Sequence, residues 1–201
     1  MTGHPTTAPP RARRSRISPQ REAELYEAVL DLLREVGYDA LTMEAVATRT
    51  RCSKATLYRQ WAGKPELVAR ALRHHKPVTL HRIDTGSLRG DFHALIDQID
   101  DHRIAEDAAL MRGLANAMHT HPDLAHALRH ALLEPELSGL ATVLARAVER
   151  GEVPPDTPAL AYVSHFTLGA LITRPLVEGT PTDAAFLRAY FDAALFPALG
   201  V

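Results

Sequence analysis

The sequence predicts an all-α protein with a small N-terminal head and a larger helical body. Apolar residues recur at three- and four-residue steps through most of the 201 residues, the spacing of a helix face. No stretch alternates apolar and polar residues cleanly, as a half-buried strand would. In the second half, Pro122, Pro135, Pro154, Pro155 and Pro181 fall between periodic segments, where helices stop and restart.

Residues 1–17 hold Pro9, Pro10 and the cluster Arg11, Arg13, Arg14 and Arg16, and read as a disordered basic arm. A head follows over residues 18–75. Ser18 can cap its first helix, Pro19 suits the first helical position, and Gly37 can end it in a left-handed conformation. Leu25, Val29, Leu32 and Val36 form the core-facing stripe. Thr42 is a plausible cap for a second helix, Met43–Thr50, with Glu44 in its positive first turn. Arg51-Cys52 makes a brief turn, and Ser53 caps a third helix, Lys54–Trp61. Ala62-Gly63 breaks it, and a fourth runs from Lys64 to His75.

Residues 76–201 form the body. Residues 76–87 read as a linker. Beyond it the pattern predicts helices over Gly90–Arg103, Ala105–His119, Pro122–Leu133, Glu136–Arg150, Pro158–Glu178 and Thr182–Leu199.

Composition bounds the function. The chain is 46% hydrophobic and 23% charged, which suits a globular protein. The longest apolar run, residues 158–172, is broken by Ser164, His165 and Thr167 and falls short of the ~18–20 residues of a membrane span. The N-terminus lacks the apolar region of a secretory signal, and the single Cys52 excludes an internal disulfide. A cytoplasmic protein is expected. The net charge of −1 hides a split: residues 1–76 carry 14 Lys/Arg and 8 Asp/Glu, residues 77–201 carry 9 and 16. A basic head on an acidic body suggests nucleic-acid binding, although chance clustering would give the same numbers.

Helices two and three, joined by a tight turn and packed on helix one, can lay helix three in the DNA major groove. Lys54, Ala55 and Thr56 stand at its N-terminal end, where base edges lie. Lysine donates to guanine, and alanine or threonine meets a thymine methyl. Tyr58, Arg59 and Lys64 suit phosphates, and Thr42 at the start of helix two offers a further phosphate site. Leu57 is the core residue that locks helix three onto Leu33 and Val46. Trp61 divides between core and surface, and Tyr58 has an alternative role in packing.

The run "LYEAVLDLLREVGYDALTMEAVATRTRCSKATLYRQWAGKPELV" resembles the N-terminal domain of the TetR family of transcriptional regulators. Gly37-Tyr38, Leu41-Thr42-Met43, Ala45-Val46-Ala47 and Ser53-Lys54-Ala55-Thr56-Leu57-Tyr58, with Lys64 beyond, carry the likeness. One departure stands in the turn, where relatives usually carry Gly-Val and this chain has Arg51-Cys52. A left-handed Arg51 would cost roughly 1 kcal/mol. The resemblance implies a homodimer that binds double-stranded DNA at a near-palindromic operator. Thr42, Lys54, Thr56, Tyr58 and Lys64 match operator-contacting positions, and Ser53, Ala55, Arg59 and Trp61 match their neighbours. It also implies an unidentified small-molecule effector, a repressor more readily than an activator, and a four-helix interface between subunits.

In the body, the helix near 158–176 is apolar almost all round, so a partner chain is the expected cover. Leu160, Val163, Leu168 and Leu171 from it, with Phe186, Tyr190 and Phe191 from the last helix, are the expected subunit interface. A monomer core is the alternative. Met111, Leu114, Met118, His165 and Phe166 are candidates for an effector pocket, each also readable as plain core. His119, His121, His126 and His130 do not make a familiar metal pattern, and no metal or cofactor is assigned. An enzyme with a DNA-binding head would need a polar catalytic cluster, and no such motif is present.

Overall fold

The computed structural model describes residues 17–75, 80–98 and 100–201, so the arm expected at residues 1–17 lies outside it up to residue 16. Nine α-helical runs, a short 3-10 helix at Leu80–Arg82 and no strand make up its regular structure, among the described residues. The head comprises α1 (Pro19–Ala40), α2 (Met43–Thr50), α3 (Lys54–Gln60) and α4 (Lys64–His75). The body has α5 (Leu88–Ile96) and α6 (Asp101–Thr120). A long run follows from α7 (Pro122–Leu128) through a π turn into α8 (Glu134–Glu149). After it come α9 (Val163–Val177) and a last run from α10 (Ala184–Tyr190) through a second π turn into α11 (Phe196–Leu199).

The head helices begin where their capping side chains stand. Ser18 Oγ accepts from Arg21 N at 3.3 Å, Thr42 Oγ1 from Ala45 N at 3.1 Å, and Ser53 Oγ from Thr56 N at 3.2 Å. Gly37 breaks α1 at φ 73° and ψ 173°, a region open essentially to glycine alone, and Tyr38 after it is buried. Val36 departs from the expected stripe: it is 47% exposed, because the break turns the chain inward only after it.

Two apolar cores result. The first joins α1–α4 to Leu110, Leu114 and Ala117 of α6 and to Leu124 and Leu128 of α7. The second joins α5, Ile104 of α6, Val143 and Ala147 of α8, and the last helices. α6 therefore belongs to both, with its start in the body core and its later turns against the head.

Prolines break fewer helices than their positions predict. Pro135 does not separate two helices. The π turn Arg129–Leu133 precedes it, and Glu134 N–H reaches back five residues to Arg129 O. The wider turn absorbs the strain of a ring that would press on the carbonyl four residues back. Phe191–Leu195 does the same ahead of Pro197. Pro175 lies inside α9 and leaves Leu171 O without its helical donor. The Thr182 hydroxyl, buried, donates to that oxygen at 3.2 Å. The predicted helix Gly90–Arg103 is instead two, because Asp100 caps a new start through Arg103 N at 3.0 Å. Residues 158–162 form a 3-10 turn ahead of α9.

Asp91 ties the segment after the head to the body. Fully buried, its carboxylate accepts from Thr85 N at 2.6 Å and Thr85 Oγ1 at 2.8 Å, and faces Arg146 of α8 at 3.5 Å.

Candidate nucleic-acid interface

α3 divides sharply between its two sides. Leu57 is wholly buried in the head core with Val46 and Leu33. Trp61, just past the helix end, is 3% exposed, and its indole N–H donates to Tyr26 Oη at 3.2 Å. Tyr26 in turn donates to Glu22 at 2.7 Å. Burial first, and the Glu22 bond second, push the Tyr26 phenol up to about 12. These contacts anchor α3 to α1. Trp61 is thus removed from the expected DNA-contacting set, because its whole side chain is spent inside the head.

The other side of α3 faces out. Tyr58 is 52% exposed, and Lys54, Ala55 and Arg59 are exposed beside it. Arg59 makes no ion pair among the described residues. The Lys54 ammonium pairs with Glu44 at the start of α2. That bond holds the Glu44 carboxyl below its usual range. Both partners are exposed, so lysine can exchange the carboxylate for a base or phosphate at little cost. Thr56 is half-buried, with Oγ1 at 2.9 Å from Ser53 Oγ. Ser53 and Thr42 both spend their side-chain oxygens on capping, so what they offer a phosphate is chiefly the helix ends they organise.

Lys64 stands apart from this surface group. Its Nζ donates to Tyr38 O at 2.9 Å and lies 4.1 Å over the Tyr38 ring. Burial pushes its pKa down. It pins the start of α4 to the end of α1.

The turn solves the Arg51 question. Arg51 adopts φ 50°, ψ 40°, and is the one non-glycine residue with positive φ among the described residues. Arg51 N–H donates to Thr48 O at 3.3 Å and Cys52 N–H to Ala47 O at 3.0 Å. That pair of bonds is a Schellman ending with arginine where glycine fits best. Across the same end, Arg49 pairs with Glu35 of α1 at 2.6 Å, and Arg21 donates to Thr50 O.

Residues 25–71 match the family described as bacterial regulatory proteins, tetR family, and residues 82–194 match the tetracyclin repressor-like C-terminal domain. A DNA-binding transcriptional repressor of Mycobacteroides abscessus is 35% identical over 176 residues, 87% of this chain and 92% of that protein. This chain belongs to the TetR family of transcriptional regulators. An HTH-type regulator of Mycobacterium bovis is 33% identical over 180 residues, 89% of this chain and 88% of its own length. A crystal structure of a TetR-family transcription regulator superposes with TM-score 0.68 at 30% identity, covering 89% of this chain and 98% of that one. That of a flavonoid-responsive regulator does so with TM-score 0.59 at 25% identity, covering 91% and 97%. DNA binding through α2 and α3 follows from membership, and TetR regulators are transcription factors rather than enzymes.

The body residues expected to act in this TetR protein separate. Met111, Leu114 and Met118 pack in or on the head-side core, Phe166 on the body core, and His165 is exposed. Of the two cavities described between these helices, four of the five border neither. Only Leu114 borders the groove of about 470 Å³ between the end of α1 and α6. Of the residues expected between subunits, Val163 and Phe191 are buried inside this protomer and serve its own core. Leu160, Leu171, Phe186 and Tyr190 are half-buried on that core, and Leu168 is exposed. The histidines find ordinary partners: His121 with Asp39 at 2.6 Å, His130 with Glu134 at 2.7 Å. No group of three metal-ligating side chains exists among the described residues, and no helix there is long and apolar enough to cross a membrane.

Proposed function

We propose that this TetR protein is a homodimeric repressor that holds a near-palindromic operator and is released from it by a small molecule. The observation that carries the reading is the division of α3: Leu57 and Trp61 fix one side, leaving Lys54, Ala55, Tyr58 and Arg59 to enter a major groove. Apolar side chains left uncovered on α9, Leu168, Leu176 and Val177, favour a second copy as cover. The head meets the body through α4, whose Leu67, Val68 and Leu72 share a core with α6 and α7, so movement in the body reaches the reading helices. The relative from Mycobacteroides abscessus is named a repressor, and one solved relative is titled as flavonoid-responsive, which supports the repressor and effector parts. Such a protein acts where the chromosome lies, in the cytoplasm.

Selection of bound fragments from random DNA by the purified protein tests it. Inverted half-sites with centres about 34–36 Å apart, one helical turn, are the expected product. Enrichment of single, unrepeated sites would overturn the dimeric reading, and no enrichment at all would overturn operator binding.

A further inference from the structure

A second cavity, of about 270 Å³, lies between α6 and the segment that joins α9 to α10. Its wall is mixed, more apolar than polar: Ala105 and Ala108 stand on one side, Pro175 and Pro181 on the other. Two polar side chains reach it, Arg112 and Thr182. The Thr182 hydroxyl is already committed as donor to Leu171 O. Arg112 is not committed. Its Nη1 is buried with no hydrogen-bond partner, and it makes no ion pair among the described residues. The cause lies in α6 itself. The positions three and four residues from Arg112 are Ala108, Ala109, Ala115 and Asn116, so no carboxylate stands one turn away. A guanidinium nitrogen buried without an acceptor is costly, and a bound anion relieves that cost.

We propose that this cavity binds a small monocarboxylate with an apolar body, its carboxylate paired with Arg112 and its hydrocarbon against the alanines and prolines. The planar guanidinium matches a carboxylate in a two-bond fork. A phosphate would bring more charge and more acceptor oxygens than one arginine satisfies, and the prolines have no N–H to add. The volume sits just under the ~300 Å³ low end of drug-sized sites, which selects a compact acid over a long-chain one. The inference rests on the reading of the chain as effector-responsive and names the class of effector. Ala109 of α6 lines both this cavity and the groove against α1, so α6 has open space toward the head as well as toward the ligand. An acid held by Arg112 braces α6, and α6 packs on α1 through Leu110 and Leu114.

The test is calorimetric titration of the full chain, without DNA, with benzoate, phenylacetate and hexanoate, each beside its primary amide. At least one acid is expected to bind about tenfold or more tightly than its amide. Arg112→Gln should abolish that preference. Ala105→Leu, which keeps the cation but occupies the cavity, should weaken acid and amide together. Absence of binding by all three acids, equal binding of acids and amides, or an acid preference that survives Arg112→Gln would each overturn the site. The same compounds are then added to the protein on its selected operator. Arg112-dependent binding that leaves operator affinity unchanged sustains the site and overturns the effector reading. Operator release that ignores Arg112→Gln sustains the effector reading and overturns the site.

Discussion

Arg51, Lys54 and Tyr38 show how single side chains divide between holding the head and using it. Arg51 closes α2 in a left-handed conformation that costs a side-chain-bearing residue ~1–2 kcal/mol, while glycine there loses ~0.5–1 kcal/mol through the unfolded chain. Arg51→Gly should therefore stabilise the protein by up to about 1 kcal/mol, seen as a Tm higher by roughly 2–4 °C in a thermal melt. An unchanged or lower Tm would mean the side chain contributes contacts that outweigh the strain. Lys54→Ala removes a group whose one ion-pair partner among the described residues is the exposed Glu44, so the melt should barely move. Operator affinity should fall by about 1–3 kcal/mol with relaxed preference at one base pair. Affinity and preference both intact would remove Lys54 from base reading. Tyr38 is buried, and burial, with Asp123 and Asp39 nearby, pushes its phenol up to about 12. The unfolded chain ionises near pH 10, so the stability linked to Tyr38 is present below that and is lost as pH rises from about 10 to about 12. Tyr38→Phe should flatten that alkaline loss by roughly 1–3 kcal/mol in urea titrations at successive pH values, leaving the similar share of Tyr26. A slope equal to that of the wild type would contradict the assignment.

At the scale of the element, prolines sit inside helices that find other donors or other spacing. The link from Pro175 through Leu171 O to Thr182 makes a specific prediction. Thr182→Val leaves a buried carbonyl unpaired and should cost about 1–3 kcal/mol. Pro175→Ala returns an N–H to Leu171 O, so in that background the cost of Thr182→Val should shrink. A double-mutant cycle in denaturant measures the coupling, and strictly additive costs would show that the hydroxyl serves no such role. The same economy of local and distant signals governs α3. Its cap, Ser53, is three residues from the N–H it satisfies. Its anchor, the Trp61–Tyr26 bond, spans 35 positions.

For the whole molecule, the two cores place α6 between head and body, and the proposed dimer would cover the exposed apolar residues of α9. Leu168→Arg puts a charge on that face without touching either core. The variant should sediment as a monomer and lose operator affinity by about 10²-fold or more, since each half-site is then held alone. A dimer that persists would move the interface elsewhere. Arg59→Ala should reduce the salt dependence of operator binding by about one unit of slope if Arg59 holds a phosphate.

Sequence by itself determined the all-helical class, the caps Ser18, Thr42 and Ser53, and a break at Gly37, though not the extended ψ of 173° that takes it out of the left-handed helical region. It also determined the exposure of Lys54, Ala55, Tyr58 and Arg59, but not the burial of Thr56 or Trp61. Each of these is set by spacing and side-chain chemistry within a turn or two of chain, where local geometry leaves few alternatives. Only the tertiary structure decided that Trp61 is committed to Tyr26, that Val163 and Phe191 fill the protomer's own core, that Pro135 continues a helix, and that Arg112 Nη1 is buried without a partner among the described residues. The physical reason is that burial and pairing depend on residues tens of positions away. A helical period marks a face as apolar without saying which neighbour covers it.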